Sequence, residues 1–139
     1  MKIARVKTED RQSPSRRAAR RLAGQPQATR PIVILEMATD DGVEGLGVSY
    51  FGGPMTGALR TTIDELGALT IGEDPSRPER IAMKLRDALG TPVLGGLFTL
   101  AQSAIDIALW DMRAKALGLP LWKLLAARAI ACRLMPAAP

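Results

Sequence analysis

One long helix-forming segment constrains the fold of this chain more than any other feature. Leu100–Leu117 is rich in Ala, Leu and Ile and contains neither Gly nor Pro, so its composition favours a helix throughout. Gly118 is placed to end that helix, and Pro120 is placed to start a short one over Leu121–Leu125. At about 100° per residue its polar positions form two stripes, with apolar faces between them. A helix that is apolar on more than one face is buried on more than one face, so we expect other elements or a partner to cover it.

The acidic residues of this helix favour a structural role. Asp106 and Asp111 are five residues apart and project to different sides, so they do not form a paired-carboxylate site. Asp111 and Lys115 are four apart, which predicts an ion pair along the helix.

The first part of the chain predicts an antiparallel meander. The three predicted strands are Lys2–Thr8, Pro31–Thr39 and Val43–Tyr50. Residues 40–42 (Asp-Asp-Gly) form the hairpin turn between the last two strands. Gly45 and Gly47 fall on one face of the third strand, which predicts the close approach of another element there.

Two more helices follow the strands. The spacing of Leu59, Ile63 and Leu66 predicts a helix that ends near Gly72. Residues 76–79 have the spacing of a capping box, and apolar residues follow at helical intervals. This pattern predicts another helix, which ends at Gly90. Because the strands precede the helices and do not alternate with them, the fold class is α+β: a three-stranded antiparallel meander followed by a bundle of three to four helices.

Two segments lack periodicity and predict loops. The first, residues 9–30, is basic: residues 1–30 hold nine Lys or Arg against two acidic residues, in a chain whose net charge is +5. The second covers residues 50–56 and contains two consecutive glycines. The first of them is long, and long structureless loops in compact domains are usually functional or disordered.

Length and composition restrict the class of protein. One hundred and thirty-nine residues fit one domain, and a single cysteine, Cys132, excludes an internal disulfide. No apolar run approaches the roughly 20 residues of a membrane span, and the first residues lack the apolar core of a signal peptide. We therefore expect a cytoplasmic protein with no membrane partner.

The order of these motifs carries a family resemblance. The segments that carry it are Ile34–Glu36, Asp41–Gly47, Ala104–Asp111 and Pro120–Leu125. Together they resemble the N-terminal capping domain of the enolase superfamily, with the mandelate racemase and muconate lactonizing branch closest in pattern. The resemblance divides the chain into a capping domain over residues 1–125 and, over residues 126–139, a linker leading into a first barrel strand.

The resemblance implies an enzyme of two domains. Catalysis belongs to a TIM-like barrel, in which carboxylates bind Mg²⁺ and Lys or His bases abstract the proton α to a substrate carboxylate. A barrel needs about 250 residues, whereas fourteen follow Leu125 and the chain contains no histidine. We therefore expect no catalytic residue, metal ligand or cofactor in this chain. The barrel domain, a carboxylate substrate and a second copy of the chain are the expected partners, and racemase, cycloisomerase and sugar-acid dehydratase activities of the whole enzyme remain open.

The resemblance assigns substrate specificity to this domain, through two loops that close over the barrel mouth. The candidate residues are Arg16, Arg17, Arg20 and Arg21 in the first loop and Tyr50, Phe51 and Met55 in the second. The arginines suit an anionic substrate, and the aromatic residues could supply an apolar wall. The alternative is that the arginines form a solvated loop and the aromatic residues anchor the end of a strand.

Two other classes of function compete with this interpretation. A nucleic-acid binder could use Arg16–Arg21, although this cluster lacks interleaved aromatic residues or a recognised binding fold. A free-standing protein-interaction module, or a non-catalytic remnant, would instead expose the helix face that a barrel covers. A steep salt dependence of retention on DNA would indicate the first, and an exposed apolar patch would fit the second.

Overall fold

The computed structural model describes residues 1–14, 29–51, 53–90 and 95–125, and in these ranges a three-stranded sheet is followed by four α-helices. The strands are β1 (Ile3–Pro14), β2 (Thr29–Thr39) and β3 (Glu44–Ser49), and the helices are α1 (Thr56–Ala68), α2 (Pro78–Asp87), α3 (Gly96–Ala116) and α4 (Leu121–Leu124). The α+β class and the order of elements predicted from the sequence are confirmed. No helix in the described ranges is long and apolar enough to cross a membrane.

The sheet is an antiparallel meander in the order β1-β2-β3. Its central strand places Leu35 opposite Thr8 on β1 and opposite Gly47 on β3. The predicted hairpin turn lies between β2 and β3, and Gly42 adopts a φ of 87°, which glycine tolerates best. Val33, Leu35 and Met37 are buried on the face that the helices cover.

The first strand is longer than predicted, so the boundaries of the loop over residues 9–30 were wrong. β1 continues to Pro14, which pairs with Thr29 at the start of β2. Because both faces of this edge strand carry polar side chains, the alternation of apolar and polar residues that indicates a strand is absent from this part of the sequence. On the side that faces α1, Arg60 donates hydrogen bonds to Thr8 and Asp10, so polar contacts join this part of β1 to the helix.

The segment over residues 50–56 is also more ordered than a loop. Gly53–Met55 forms a short 3-10 turn, and Thr56 is already the first residue of α1. Of the described residues between β3 and this turn, Tyr50 and Phe51 lie outside regular structure.

Two predicted helix boundaries differ from the structure. α1 ends at Ala68, not near Gly72, and the buried hydroxyl of Thr70 then donates to the Gly67 carbonyl at 2.7 Å. The capping box before α2 does not form: Arg77 is the N-cap residue and makes no side-chain cap bond. Pro78 at the first helical position fixes the start of α2, because its φ suits a helix and it has no N–H to satisfy.

α3 is the central element: it packs on β3 and β2 of the sheet and contacts both α1, which lies beside it on the same sheet face, and α2. Ala104, Ala108 and Met112 lie against β3, and their side chains are fully buried. The close approach predicted from Gly45 and Gly47 is confirmed: a Cβ built on Gly47 would lie 2.0 Å from the Ala104 carbonyl oxygen. Glycine at these positions lets the β3 backbone contact the helix directly.

The core joins both layers around α3. Its buried hydrophobic residues are Ile3, Val33, Leu35, Met37, Leu59, Ile63, Leu66, Ile81, Leu85, Phe98, Ala101, Ala104, Ile105, Ala108, Leu109 and Met112. Both apolar faces of the middle of α3 are therefore covered within this chain. Of the two expected sources of cover, other elements of the chain or a partner, the chain itself supplies it here, through β3 and the shorter helices; the homo-oligomer stays a prediction.

The end of α3 follows the sequence closely. Gly118 has a φ of 64°, and the amide of Leu119 donates back to the Ala114 carbonyl at 2.9 Å. α4 then begins after Pro120, as predicted, but none of its four residues is buried.

Candidate functional site

Both predicted specificity segments leave the same end of the sheet. β1 ends at Pro14 and β2 starts at Thr29, so the connection over residues 15–28 starts and finishes at this end. β3 ends at Ser49, opposite Val33 near the start of β2. The segment over residues 50–55 therefore begins at the same end, whereas the hairpin between β2 and β3 lies at the other.

The three candidate residues of the second segment have different environments. Tyr50 is 57% exposed and Met55 is 41% exposed, so both side chains are available to a ligand or a partner. Phe51 is partly buried and packs against the core. For Phe51 the structure thus favours the alternative role of an anchor at the end of a strand.

The four candidate arginines, Arg16, Arg17, Arg20 and Arg21, lie outside the described residues. Their roles in substrate binding or nucleic-acid binding stay predictions from the sequence. Pro14 and Thr29, the described residues on either side of their segment, lie at the same sheet end as the end of β3.

A polar cluster missed by sequence reasoning fixes β1 to α1 near this end. The hydroxyl of Thr8 donates to Asp64 Oδ1 at 2.6 Å, and Arg60 Nε donates to Thr8 Oγ1 at 3.2 Å. Arg60 also pairs with Asp10 at 3.3 Å and with Asp64 at 3.9 Å. Its charge is thus compensated inside the domain, and its role is to hold the strand that leads into residues 15–28. Thr8 and Arg60 are 52 positions apart in the chain, so no local sequence pattern predicts this contact.

The acidic residues of α3 occupy separate places, as predicted. Asp111 Oδ2 accepts from Lys115 Nζ at 2.8 Å, which confirms the predicted pair, and it also accepts from the Leu46 amide at 2.9 Å. Asp106 lies at the groove between α2 and α3. Burial raises the pKa of Asp106, a hydrogen bond from Trp110 partly offsets this, and the negative charge of Glu79 adds to the rise.

The described residues do not bring together a metal centre. Within residues 1–14, 29–51, 53–90 and 95–125, no group of three or more His, Cys, Asp or Glu side chains could hold a metal ion. The arrangement in this part of the chain is suited to shaping and binding, with exposed side chains at one sheet end supported by a rigid two-layer core.

Comparison with known proteins identifies the family. The model of the mandelate racemase / muconate lactonizing enzyme N-terminal domain matches residues 4–126. An L-talarate/galactarate dehydratase from Salmonella typhimurium is 42% identical over 96 residues, which is 69% of this chain and 24% of that enzyme. A 3,6-anhydro-alpha-L-galactonate cycloisomerase from Streptomyces coelicolor is 34% identical over 94 residues, 67% of this chain and 26% of that enzyme.

Solved structures show the same relation. The crystal structure of L-talarate dehydratase from Polaromonas sp. JS666, complexed with Mg and L-glucarate, matches with a TM-score of 0.77 and 32% identity. The match covers 91% of this chain and 35% of that one. The chain thus spans about a quarter to a third of the length of the relatives it matches.

Proposed function

This chain belongs to the mandelate racemase / muconate lactonizing enzyme family as an N-terminal domain, and from this premise we propose that it caps a catalytic barrel and selects the substrate at the barrel mouth. The observation that supports the proposal is that Pro14, Thr29 and Ser49, the strand residues next to the two loop segments, lie at one end of the sheet. A cap that acts at a barrel mouth needs its variable segments together, on a scaffold rigid enough to hold them in place.

The proposed substrate is a sugar acid. Relatives of this chain are dehydratases of talarate, galactarate and galactonate, which are polyhydroxylated carboxylates. Arg16, Arg17, Arg20 and Arg21 would bind carboxylate groups, because guanidinium–carboxylate pairs are short and charge-assisted. Tyr50 and Met55, both exposed at the same end, would form the apolar wall of the pocket.

In this proposal the metal chemistry belongs to the domain that follows. A bound Mg²⁺ supplies stabilisation of the negative charge that develops when the α-proton is removed. This chain contributes positioning and the exclusion of water above that site, and the reaction of the whole enzyme is dehydration or a related isomerisation of the sugar acid.

Proton exchange tests the division of labour between the two domains. Residues 1–125 would replace the matching N-terminal segment of the Salmonella dehydratase; we call the product the joined protein. We expect Mg²⁺-dependent exchange of the galactarate α-proton in deuterated water by the joined protein, and none by the 139-residue chain alone. The unaltered dehydratase is the positive control. Exchange by the chain alone, or a cooperatively folded joined protein that exchanges nothing, would contradict the proposal.

A further inference from the structure

One face of α1 contacts the supports of both loop segments. Thr56, Arg60 and Asp64 are spaced four residues apart, so their side chains leave the helix on the same side. The hydroxyl of Thr56 donates to the Phe51 carbonyl at 3.4 Å, within the second segment. Arg60 and Asp64 instead bond with Thr8 on β1, at 3.2 Å and 2.6 Å. The same helix face thus contacts the second segment and the strand that leads into the first.

The sheet aligns these contacts with the end of β3. Asp10 pairs with Val33 on β2, and Val33 pairs with Ser49, the last residue of β3. Arg60 Nη1 lies 3.3 Å from Asp10 Oδ2. Arg60 therefore holds β1 at the level of the sheet from which the second segment departs, shortly before β1 itself ends at Pro14.

The two ends of α1 are held to β1 in different ways. A Cβ built on Gly67 would lie 2.7 Å from Val6 Cγ1, so the end of the helix contacts the strand through close apolar packing. α1 thus runs antiparallel to β1, and its start lies beside the end of the strand. There Arg60 supplies polar contacts, and its side chain is 44% exposed. Because ion pairs this exposed contribute little to stability, the main effect of these contacts is on geometry.

A guanidinium group is well suited to fix a position. Its N–H groups lie in one plane and point in set directions, so two or three acceptors determine where it lies. Nε of Arg60 donates to Thr8 and lies 3.9 Å from Asp64 Oδ2, while Nη1 donates to Asp10. The acceptors therefore come from both α1 and β1, and the two elements are held in one relative position.

We propose that Arg60 is a positioning residue for substrate selection. It acts without touching the substrate: it holds the end of β1 against the start of α1, and so keeps the supports of the two loop segments in a fixed relative position. The inference rests on the proposed function, since it names a residue on which the selectivity of that same site depends.

This role affects two classes of substrate differently. A sugar diacid and its monoacid share the carboxylate next to the reacting carbon, which the barrel of the proposed enzyme holds. Only the diacid has a second carboxylate for the capping domain to bind. A displaced capping segment therefore slows diacid turnover and leaves monoacid turnover nearly unchanged. The diacid-to-monoacid ratio of kcat/KM reports this displacement, whereas a loss of folded protein lowers both rates equally.

Two substitutions of opposite charge separate positioning from electrostatic attraction of the diacid. In the joined protein, Arg60→Gln removes a positive charge and Asp10→Asn removes a negative one. We expect each to lower the ratio by about three- to tenfold, since a displacement of about 1 Å can cost about a hundredfold. The double variant should lower it no further than the stronger single variant, because both break the same contact. Simple attraction by Arg60 would instead make Asp10→Asn raise the ratio.

A matched variant controls for lost stability. The Lys84 side chain on α2 is 45% exposed, and it bonds with Glu73 at 2.7 Å and with the Leu69 carbonyl at 2.9 Å. Lys84→Gln should lower the melting temperature about as much as Arg60→Gln and leave the ratio unchanged.

Two further variants keep the test informative if Arg60→Gln folds poorly. Thr8→Val removes the shared hydroxyl and keeps a β-branched side chain in β1, so it should fold and still lower the ratio. Arg60→Lys keeps the charge but loses the planar group, and its ratio should lie between those of the unaltered joined protein and Arg60→Gln.

Three results would overturn the inference. They are an unchanged ratio in folded Arg60→Gln and Thr8→Val, a raised ratio in Asp10→Asn, and an equal fall in Lys84→Gln. The variant in which Gln replaces the four candidate arginines distinguishes this failure from that of the proposed function. If that variant lowers the ratio and Arg60→Gln does not, only the positioning role is wrong; if neither lowers it, both proposals are wrong.

Discussion

Gly45 and Gly47 are the two residues at which the absence of a side chain decides how the layers pack. A Cβ on Gly45 would lie 2.3 Å from both the Ala108 carbonyl oxygen and Met112 Cγ. On Gly47 it would meet the backbone of Ala104, which cannot move without displacing α3. The contact between β3 and α3 therefore depends on glycine in the strand and small residues in the helix.

Gly47→Ala should destabilise the domain by about 3 kcal/mol, because the new methyl group overlaps main-chain atoms. Gly57→Ala is the matched control: a Cβ there meets nothing within 4 Å, and Ala in place of Gly inside α1 should stabilise the domain by up to about 1 kcal/mol. Urea unfolding measures both. A loss below about 1 kcal/mol for Gly47→Ala would show that the two layers are not in this close contact.

Asp111 joins α3 to β3 through a main-chain hydrogen bond as well as pairing with Lys115. Asp111→Ala removes the acceptor for the Leu46 amide and should cost about 1 kcal/mol. Lys115→Ala removes only an exposed pair and should cost about 0.5 kcal/mol or less. If thermal unfolding gives equal losses for the two variants, the bond to β3 contributes nothing.

At the scale of elements, the sequence was most informative where a single residue fixes a boundary. Gly118 and Pro120 predicted the end of α3 and the start of α4 correctly. The extension of β1 was missed because its polar residues find partners on α1, far away in sequence. The predicted capping box does not form. Pro78 occupies the first helical position, so Arg77 is the N-cap residue of α2, and it makes no side-chain cap bond.

The groove between α2 and α3 gives a pH-dependent prediction. Burial raises the folded-state pKa of Asp106 above its ordinary value of 3.8, so the folded protein binds this proton more tightly than the unfolded chain. Stability is therefore reduced as pH rises from below 3.8 through the raised pKa, and the reduction is complete at neutral pH. Asp106→Asn removes this penalty and keeps an acceptor for Trp110.

We expect Asp106→Asn to be more stable than the wild-type chain at neutral pH and equal to it well below pH 3.8. Denaturant unfolding at the two pH values measures the difference. Asp87→Asn, an exposed change at the end of the same groove-forming helix α2, controls for the loss of one negative charge. A stability gain of the same size at both pH values would contradict the assigned cause.

At the scale of the whole molecule, the family and the order of layers could be predicted from motif order alone. The covering of α3 could not, because the polar stripes of a helix do not reveal which neighbours in the same chain will reach it. The exposure of the candidate site residues was likewise not predictable from the sequence. Tyr50 and Met55 are exposed, whereas Phe51, which lies next to Tyr50 and is also apolar, packs on the core.

The central claim is that this domain selects an acid substrate through loops that leave one end of its sheet. The most direct test is the ratio of kcat/KM for a six-carbon sugar diacid to that for its monoacid, measured in the joined protein. The variant replaces Arg16, Arg17, Arg20 and Arg21 by Gln. Arg80→Gln with Arg86→Gln, exposed positions on α2, is the control for lost positive charge.

The account predicts that this ratio falls about tenfold or more in the loop variant, the value of one charge-assisted hydrogen bond to the second carboxylate, and stays constant in the control. An unchanged ratio in the loop variant, or an equal fall in the control, would contradict the assignment of substrate selection to this domain.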